Sequence, residues 1–276
     1  MPQPRFSAPA LLVAATAASF ALGVSTAQAQ PAGEFVPVTD AMLQDPDPAD
    51  WPMWRRTLDG WGYSPLDQVN RDNVGELQMA WSRALPQGTQ EVTPLAYDGV
   101  VYMPTLTDII QALDATNGDL IWEYRRDLPD DVYEFVGGNA RSMRNIAIYD
   151  RQIINISDDD YAYALDVETG DVVWETRIFD YQETPAGHSS GPIIADGRVI
   201  SGRSCRPRGG PESCVLVAHD ARTGEELWRR RTVPAPGEPG DETWGGVPYE
   251  RRGDVGSWAS ASDDPPPRPI FPGTSV

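Results

Sequence analysis

Lysine is missing from this sequence, so all 22 of its basic residues are arginines. Acidic residues number 41, which leaves a formal net charge of −19 at pH 7. A protein that binds nucleic acid needs a clustered basic face to neutralise phosphates, and a chain of this acidity does not offer one by composition. The charge balance therefore argues against a nucleic-acid partner.

Cysteine and histidine are scarce, with two of each. Cys205 and Cys214 have no neighbouring histidine and no second close cysteine, which disfavours a metal site, and His188 and His219 show no ligand spacing either. Two cysteines that flank a loop rich in Arg, Pro and Gly can form a disulfide in an oxidising compartment, whereas a pair of free thiols is the alternative. We expect the disulfide, and a packing role for His219.

Apolar runs of the about 20 residues that a membrane span needs are absent after the N-terminal segment. That segment has the pattern of an export signal: Arg5, an apolar stretch over residues 8–24, and an A-x-A cleavage site that ends at Ala29. We therefore expect a signal peptide over 1–29, a mature chain exported to the periplasm, and no membrane span. The residue directly after the cleavage site is Gln30 rather than a cysteine, so a lipid anchor of the bacterial lipoprotein kind has no attachment point.

A phrase that is repeated three times dominates the rest of the chain. The copies occupy residues 112–122, 164–174 and 218–228, and each runs from an apolar stretch through an Asp and a Gly to a Trp. Repetition at about 50 residues is typical of a protein built from one stacked supersecondary unit. Each copy predicts a strand, a tight turn and a return strand, because Asp bonds its own turn backbone and Gly adopts positive φ.

A second turn signal precedes each copy, at Asp98-Gly99, Asp150-Arg151 and Asp196-Gly197. Two hairpin turns per repeat give a four-stranded blade, and radially stacked blades form a β-propeller. A large apolar Trp at one fixed place in each blade is suited to packing between neighbouring blades. A β-sandwich with coincidental Trp spacing is the alternative fold.

Several stretches resemble the N-terminal half of the PQQ-dependent alcohol dehydrogenases, the quinoprotein methanol and ethanol dehydrogenase group. They are Trp51-Pro-Met-Trp54, the run from Gly62 to Asn70, the run from Gln90 to Pro94, the three repeats, and residues 240–246. The resemblance implies an all-β propeller with pyrroloquinoline quinone (PQQ) near its axis and usually a Ca²⁺ beside it. Counting Trp81 as the mark of one more unit, the chain would supply about four of an expected eight blades.

The resemblance also sets the expected organisation of the chain. A lead-in segment follows the signal peptide over residues 30–50, and the propeller blades occupy 51–250. Residues 251–276 are expected to be irregular and truncated, since five prolines lie between Asp263 and Gly273 and deny ladder hydrogen bonds to a strand.

Four residues match cofactor contacts of the family. Glu91 matches a glutamate that hydrogen-bonds the quinone, with a solvated loop carboxylate as the alternative. Arg144 matches an arginine suited to a PQQ carboxylate, with a surface ion pair as the alternative. Trp244 matches the floor under the quinone ring, with blade docking as the alternative. Ser157 falls where the family commonly has a cofactor-contacting Thr.

Departures from the family pattern concern the metal and a ring disulfide. Gly138 and Asn139 stand where much of the family has two adjacent cysteines. Glu212 is the one carboxylate in the loop that aligns with the family's calcium-ligating glutamate, although Ca²⁺ takes six to eight oxygen ligands. Val276 occupies the place of the family's Asn ligand. Calcium is therefore expected from the resemblance, but its ligands are not located.

The function implied by the resemblance is that of a periplasmic quinoprotein dehydrogenase. It would oxidise a small-molecule alcohol with PQQ and pass electrons to a cytochrome c or a similar acceptor. The catalytic Asp of the family would lie beyond Val276, so the chain alone is expected to be inactive. The alternatives are a non-catalytic exported β-propeller scaffold and an inactive truncated gene product.

Overall fold

The structure is a computed structural model that describes residues 34–137, 144–205, 210–253, 255–257, 261–263 and 270–274. All of them belong to one compact unit, Pro31–Val276. Helices are short: α1 spans Asp40–Gln44 and α2 spans Val132–Val136. Single 3-10 turns cover Val74–Glu76, Pro211–Ser213, Asp241–Trp244 and Tyr249–Arg251.

Antiparallel strands make up the rest of the regular structure. Their bounds are β1 Leu95–Tyr97, β2 Val100–Thr105, β3 Ile109–Asp114, β4 Leu120–Arg125, β5 Ala147–Tyr149, β6 Gln152–Ile156, β7 Tyr161–Asp166, β8 Val172–Arg177, β9 Ala186–Gly187, β10 Ile193–Ala195, β11 Arg198–Gly202, β12 Ser204–Cys205, β13 Val215–Asp220, β14 Glu226–Arg231, β15 Ser262–Asp263 and β16 Ile270–Phe271.

Twelve of these strands form three four-stranded sheets of identical order, which confirms the predicted propeller blades. Blade A is β1-β2-β3-β4, blade B is β5-β6-β7-β8, and blade C is β10-β11-β13-β14. Strands β9 and β12 form a separate two-stranded ribbon, as do β15 and β16. Inner strands β5 and β10 contact each other, so blades B and C are neighbours.

The hairpin between the two inner strands has the predicted turn chemistry in blades A and C, whereas in blade B only Asp150 of the Asp150-Arg151 pair has a positive φ. Asp98 and Gly99 both have positive φ, and so do Asp196 and Gly197, which is the signature of a type I′ turn. The turn of the repeated phrase is also as expected: Asp166 accepts hydrogen bonds from the backbone N–H groups of the second and third residues that follow it.

Each copy of the phrase carries the same irregularity, a β-bulge after Ala112, Ala164 and Ala218. In the third copy the residue after the bulge is His219 rather than Leu. Its side chain is fully buried, and burial lowers its pKa to about 4. The neutral imidazole therefore serves as packing, in line with the expectation from the sequence.

Tryptophans join the blades through the glycine of the next turn. Added Cβ atoms on Gly118, Gly170 and Gly224 would lie 2.6, 2.7 and 2.3 Å from the rings of Trp81, Trp122 and Trp174, respectively. The indole N–H groups of Trp81 and Trp122 donate to backbone carbonyls of the turn they cover, at 3.0 and 2.9 Å. Trp81 lies outside any strand, so it provides the docking ring before blade A without a four-stranded sheet of its own.

Exposed apolar side chains occur at several places among the described residues, and two of these surfaces include a tryptophan. The side of blade C that carries Trp228 is one, since this ring stays 40% exposed where its two counterparts are covered by a following blade. Ser257 lies next to Gly202, and Ala261 belongs to the main hydrophobic core. Residues 61–79 form the second surface, with Trp61 77% and Met79 81% exposed.

The segment before the blades is held at the hairpins between the two inner strands of each blade. Trp51 pairs with Ala96 of β1 through two backbone hydrogen bonds of 2.7 and 3.0 Å. Asp40 of α1 accepts from the Tyr149 hydroxyl at 2.9 Å and from the Gly197 N–H at 3.1 Å. These contacts attach the N-terminal segment to all three blades.

The proline-rich end differs from the expectation of an irregular chain. Ser262 pairs with Phe271 and Asp263 with Ile270, so two-residue strands flank residues 264–269, which lie outside the described residues. The Asp263 N–H donates to the Leu58 carbonyl at 3.0 Å, which attaches the ribbon to the N-terminal segment. The residues on either side of the prolines can pair because the restriction on the ladder is local to the prolines.

No helix within the described ranges combines the length and apolarity that crossing a membrane requires.

The docking of Trp122 on Gly170 can be measured by substitution. Gly170→Ala should lose about 1–2 kcal/mol of unfolding free energy from its φ of +76° and about 1–3 kcal/mol more from the clash with the ring. Gly99→Ala is the matched control, because Gly99 has the same φ of +76° and open space around it. Denaturant titration should give the larger loss for Gly170→Ala, and equal losses would contradict docking by close contact.

Candidate cofactor-binding site

Three polar segments lie immediately before the innermost strands of the three blades. Glu91 precedes β1, Arg144 precedes β5, and Ser189 precedes β10. Inner strands of successive blades start at the same end of a propeller, so side chains at these positions are brought together although they are far apart in sequence. A ligand site formed by several blades is therefore expected at this end.

Arg144 and Glu91 are in direct contact there. Arg144 Nη2 lies 2.7 Å from Glu91 Oε2, and the two side chains are 31% and 41% exposed. The backbone N–H and the Nη1 of Arg144 both donate to the Ser189 carbonyl at 3.2 Å, and the Thr93 N–H donates to the Arg144 carbonyl at 2.6 Å. Residues from all three blades thus meet at one accessible guanidinium.

The approach of blade C to this point depends on a glycine. Gly191 has a φ of +73°, and an added Cβ would lie 1.9 Å from the Asn145 carbonyl oxygen. The Asn145 Nδ2 donates to the Pro192 carbonyl at 3.1 Å, which closes the contact from the other side. Because no side chain fits at Gly191, the segment with Ser189 can lie directly against the segment with Arg144.

A turn of three consecutive aspartates adjoins the pair at the end of blade B. Asp158, Asp159 and Asp160 connect β6 to β7 and are 6%, 6% and 0% exposed. The sequence prediction did not assign these residues, although an acidic run directly after the buried strand β6 was an available signal. Ser157 opens the turn, is fully buried, and uses its hydroxyl within the turn, where it bonds Asp159 and accepts from the Tyr161 N–H at 3.2 Å.

Asp159 and Asp158 each bind a side chain from blade A or the segment that follows it. Arg126 donates two hydrogen bonds, of 2.6 and 2.9 Å, to the Asp159 carboxylate. Burial acts to lower the pKa of Arg126, but the hydrogen bonds and charge of Asp159 outweigh burial and raise it. Asp158 accepts from the Tyr133 hydroxyl at 3.0 Å.

Asp160 binds two side chains that flank the β9–β12 ribbon instead, those of His188 and Arg203. His188 Nε2 lies within hydrogen-bond distance of Asp160 Oδ1, at 2.7 Å, and Arg203 Nη2 donates to Asp160 Oδ2. All three side chains are 0% exposed. Burial lowers the pKa of Arg203, while the charge and hydrogen bond of Asp160 oppose that shift. The guanidinium also stacks on Phe179, 4.2 Å from the ring centroid.

Asp108 is the counterpart of Asp160 in blade A, with a positive φ in the turn between β2 and β3. Its carboxylate accepts from the Asp158 N–H at 2.9 Å and from Asn155 Nδ2 at 3.0 Å, both in blade B. Burial raises its pKa to about 7, against the lowering effect of the Asp158 hydrogen bond. Asp108 therefore links blade A to blade B, as Asp160 links blade B to residues next to blade C.

Comparison with known proteins identifies the propeller. The chain matches the PQQ family model, described as glucose/ethanol/alcohol dehydrogenase, beta-propeller domain, over residues 51–275. This chain belongs to the PQQ family. It is 34% identical over 227 residues to the dehydrogenase subunit of the quinone alcohol dehydrogenase of Gluconacetobacter polyoxogenes, which covers 78% of this chain and 30% of that protein.

Two further comparisons concern one protein of Pseudomonas putida, the quinohemoprotein alcohol dehydrogenase ADH-IIG. The PQQ-family chain is 34% identical to it over 238 residues, 80% of this chain and 32% of that protein. The solved structure of ADHIIG from strain HK5 superposes with a TM-score of 0.76 at 29% identity, over 87% of this chain and 37% of that one. The chain thus spans about a third of the length of the curated relatives it matches.

Trp244 lies at the same end of blade C, beyond the last residue of β14. It ends the 3-10 turn Asp241–Trp244 and packs with Cys214, Val233 and Val255. Arg252 covers the ring, with its guanidinium carbon 5.4 Å from the centroid. This cluster is distinct from the Arg144 and Glu91 pair, so the role of Trp244 as a cofactor floor stays a prediction for this PQQ-family chain.

The loop between β12 and β13 bears on the disulfide and the metal. Cys214 is disulfide-bonded, and the chain has one other cysteine, Cys205. Glu212 is engaged by the Tyr249 hydroxyl at 2.6 Å and by Arg231 at 3.2 Å, and these hydrogen bonds lower its pKa. In the part of the chain that the structure describes, no group of three or more His, Cys, Asp or Glu residues could hold a metal ion.

Calcium therefore stays an expectation from the family, and the described residues offer no cluster of three such side chains for it. Gly138 and Asn139, which replace the adjacent cysteines of the family, lie outside the described residues.

The burial of Asp108 predicts a pH dependence of stability. Its folded-state pKa of about 7 lies above the unfolded value near 4, so the folded state takes up a proton between these values, and stability falls as pH rises through that window. Asp108→Asn removes this effect. Urea titrations should show wild type losing stability relative to the variant between about pH 4 and about pH 7.

Asp114→Asn serves as the control for that measurement. Asp114 is partly exposed, and hydrogen bonds from Thr116 lower its pKa, so its contribution changes below the window. A wild-type-minus-variant difference that is flat for both substitutions would contradict the assignment to Asp108.

Proposed function

We propose that this chain supplies a cofactor-binding face of a periplasmic quinoprotein dehydrogenase that oxidises a small-molecule alcohol with PQQ. The contact between Arg144 and Glu91, two side chains that precede inner strands of neighbouring blades, carries the proposal. Membership of the PQQ family supports it, as do relatives that are alcohol dehydrogenases of the quinone and quinohemoprotein types. Because the chain spans about a third of those relatives, the proposal for the chain alone is binding rather than turnover.

The donor set at Arg144 suits PQQ, which is a flat quinone that carries carboxylates. A guanidinium presents a planar fork that binds a carboxylate through two parallel hydrogen bonds. The Ser189 carbonyl accepts from Nη1 at 3.2 Å and holds the group in place, while 31% of the side chain stays exposed. An ordinary surface ion pair lacks such an anchor, so this geometry favours the cofactor role over that alternative.

The protein's part in the chemistry is binding and orientation. PQQ, when bound, supplies the two-electron oxidant for the alcohol. Arg144 binds a carboxylate and fixes the direction of the ring, and Glu91 keeps the guanidinium turned toward the site and offers a hydrogen-bond acceptor. The buried turn 157–160 excludes water from the adjacent end of blade B. No residue of this chain is assigned as the catalytic base.

Location and partners belong to the same proposal. The pattern from Arg5 to Ala29 supports export to the periplasm. A cytochrome c or a similar acceptor would take electrons from the reduced cofactor, and the net charge of −19 would attract a basic cytochrome. Calcium beside the quinone is proposed on the family resemblance alone. Ser157 and Trp244 stay candidate cofactor contacts.

Binding of PQQ tests the proposal. Equilibrium dialysis of the purified chain with PQQ, with and without calcium, should show retention of the cofactor by wild type. Arg144→Lys replaces the fork by a point charge and should raise the dissociation constant about tenfold, the equivalent of about 1.4 kcal/mol. Glu91→Gln should also weaken binding, since it removes the charge that orients the guanidinium.

Arg151→Lys provides the control for this experiment. Arg151 follows β5 at the end opposite Arg144, and it forms a comparably exposed ion pair with Glu168. Its substitution should leave PQQ binding unchanged. The cofactor proposal would be refuted, in favour of an exported scaffold, by either of two results. One is equal loss of PQQ binding in the Arg151 and Arg144 variants, and the other is no retention of PQQ by wild type.

A second test concerns the loop next to the site. We propose that Cys214 pairs with Cys205, the one other cysteine of the chain. Non-reducing tryptic mapping should recover a peptide from residues 204–208 linked to one from residues 209–222, and reduction should separate them. Recovery of alkylated Cys205 from unreduced protein would contradict the pairing.

A further inference from the structure

Asp160 has a backbone conformation that non-glycine residues rarely adopt. Its φ is +70°, in the left-handed region that carries a steric cost for a residue with a Cβ. Such strain persists only where the surroundings enforce it, and an observed outlier is a reason to look for a function. The surroundings here are the side chains of His188 and Arg203.

The three side chains form a fully buried cluster from separate parts of the chain. Asp160 comes from the turn between β6 and β7 of blade B, His188 follows β9, and Arg203 lies between β11 and β12. Arg203 donates further hydrogen bonds to the Thr184 carbonyl at 2.6 Å and to the Ser213 carbonyl at 3.0 Å. One guanidinium therefore connects blade B to the residues just before β9 and just before β13.

The ribbon brings the cluster to the candidate site. Gly187 of β9 pairs with Ser204 of β12, so His188 and Arg203 extend from opposite strands of one ladder. The residue after His188 is Ser189, whose carbonyl accepts both hydrogen bonds from Arg144. A continuous path of bonded groups thus runs from Asp160 through the His188–Ser189 backbone to the guanidinium that faces Glu91.

Stability alone does not account for this cluster. Buried ion pairs lose much of their attraction to desolvation, and apolar residues of similar volume often stabilise a protein as well or better. A buried network with directed hydrogen bonds instead fixes one geometry. The geometry at stake is the position of the Ser189 carbonyl, on which the orientation of Arg144 depends.

We propose that Asp160, His188 and Arg203 are positioning residues that set the Ser189 carbonyl and, through it, direct the Arg144 guanidinium toward the cofactor site. The functional part of this inference rests on the proposed binding of PQQ. The structural part, that the cluster controls Arg144, stands apart from the identity of the ligand.

Substitution of Asp160, with a matched variant in the neighbouring blade, tests the proposal. Asp160→Asn removes the charge that holds His188 and Arg203. Asp108→Asn is the control, because Asp108 has the same place and a similar left-handed φ in blade A but binds Asn155 and the Asp158 N–H instead. His188→Gln keeps a donor that reaches Asp160, whereas His188→Ala removes it.

Three measurements are made on each variant. Thermal unfolding reports stability. Modification of Arg144 by phenylglyoxal, read from peptide masses, reports whether the guanidinium is still held. Equilibrium dialysis reports the dissociation constant for PQQ.

The expected result separates positioning from stability. Asp160→Asn and His188→Ala should raise the reactivity of Arg144 severalfold and weaken PQQ binding about tenfold. Asp108→Asn should change neither quantity whatever its effect on unfolding, and His188→Gln should restore both toward wild type.

Two other outcomes would overturn different statements. Arg144 reactivity in Asp160→Asn that matches wild type and Asp108→Asn would refute the positioning role. If wild type retains no PQQ, the proposed function fails, and the positioning role is then judged by the reactivity of Arg144 alone. Where Asp160→Asn does not fold, the pair His188→Ala and His188→Gln supplies the same comparison.

Discussion

The packing of a tryptophan ring on a glycine that has no Cβ is the contact on which the rest of this structure depends. The rings of Trp81, Trp122 and Trp174 lie so close to Gly118, Gly170 and Gly224 that a methyl group would not fit. Each of these glycines also has a φ between +74° and +76°. One residue type thus satisfies the turn and the interface at once, and the spacing between blades follows from it.

That spacing places the starts of the inner strands side by side. Glu91 and Arg144 are 53 residues apart in sequence, yet they touch because they occupy equivalent positions before β1 and β5. Polar links between blades, such as Arg126 with Asp159 and Asp108 with Asn155, lie at the same end. Tryptophan rings therefore join the blades at one end, and buried polar groups join them at the other.

The sequence alone predicted the repeating parts of this architecture. Asp-Gly hairpin turns and the Trp of each phrase reflect local chemistry, and the three blades appear where the phrases indicated. Resemblance to the family selected Glu91 and Arg144. The cluster of Asp160, His188 and Arg203 could not be predicted, because its partners come from turns that periodicity does not align. Trp244 and Ser157 were chosen by position in a motif, which does not say what their side chains contact.

An experimental structure of the chain with PQQ would test the central claim most directly. The account predicts a PQQ carboxylate about 3 Å from the Arg144 guanidinium, beside Glu91, at the end of the blades opposite the docking tryptophans. Cofactor bound elsewhere on the chain, or an Arg144 guanidinium that makes no contact with PQQ at saturating PQQ, would contradict it.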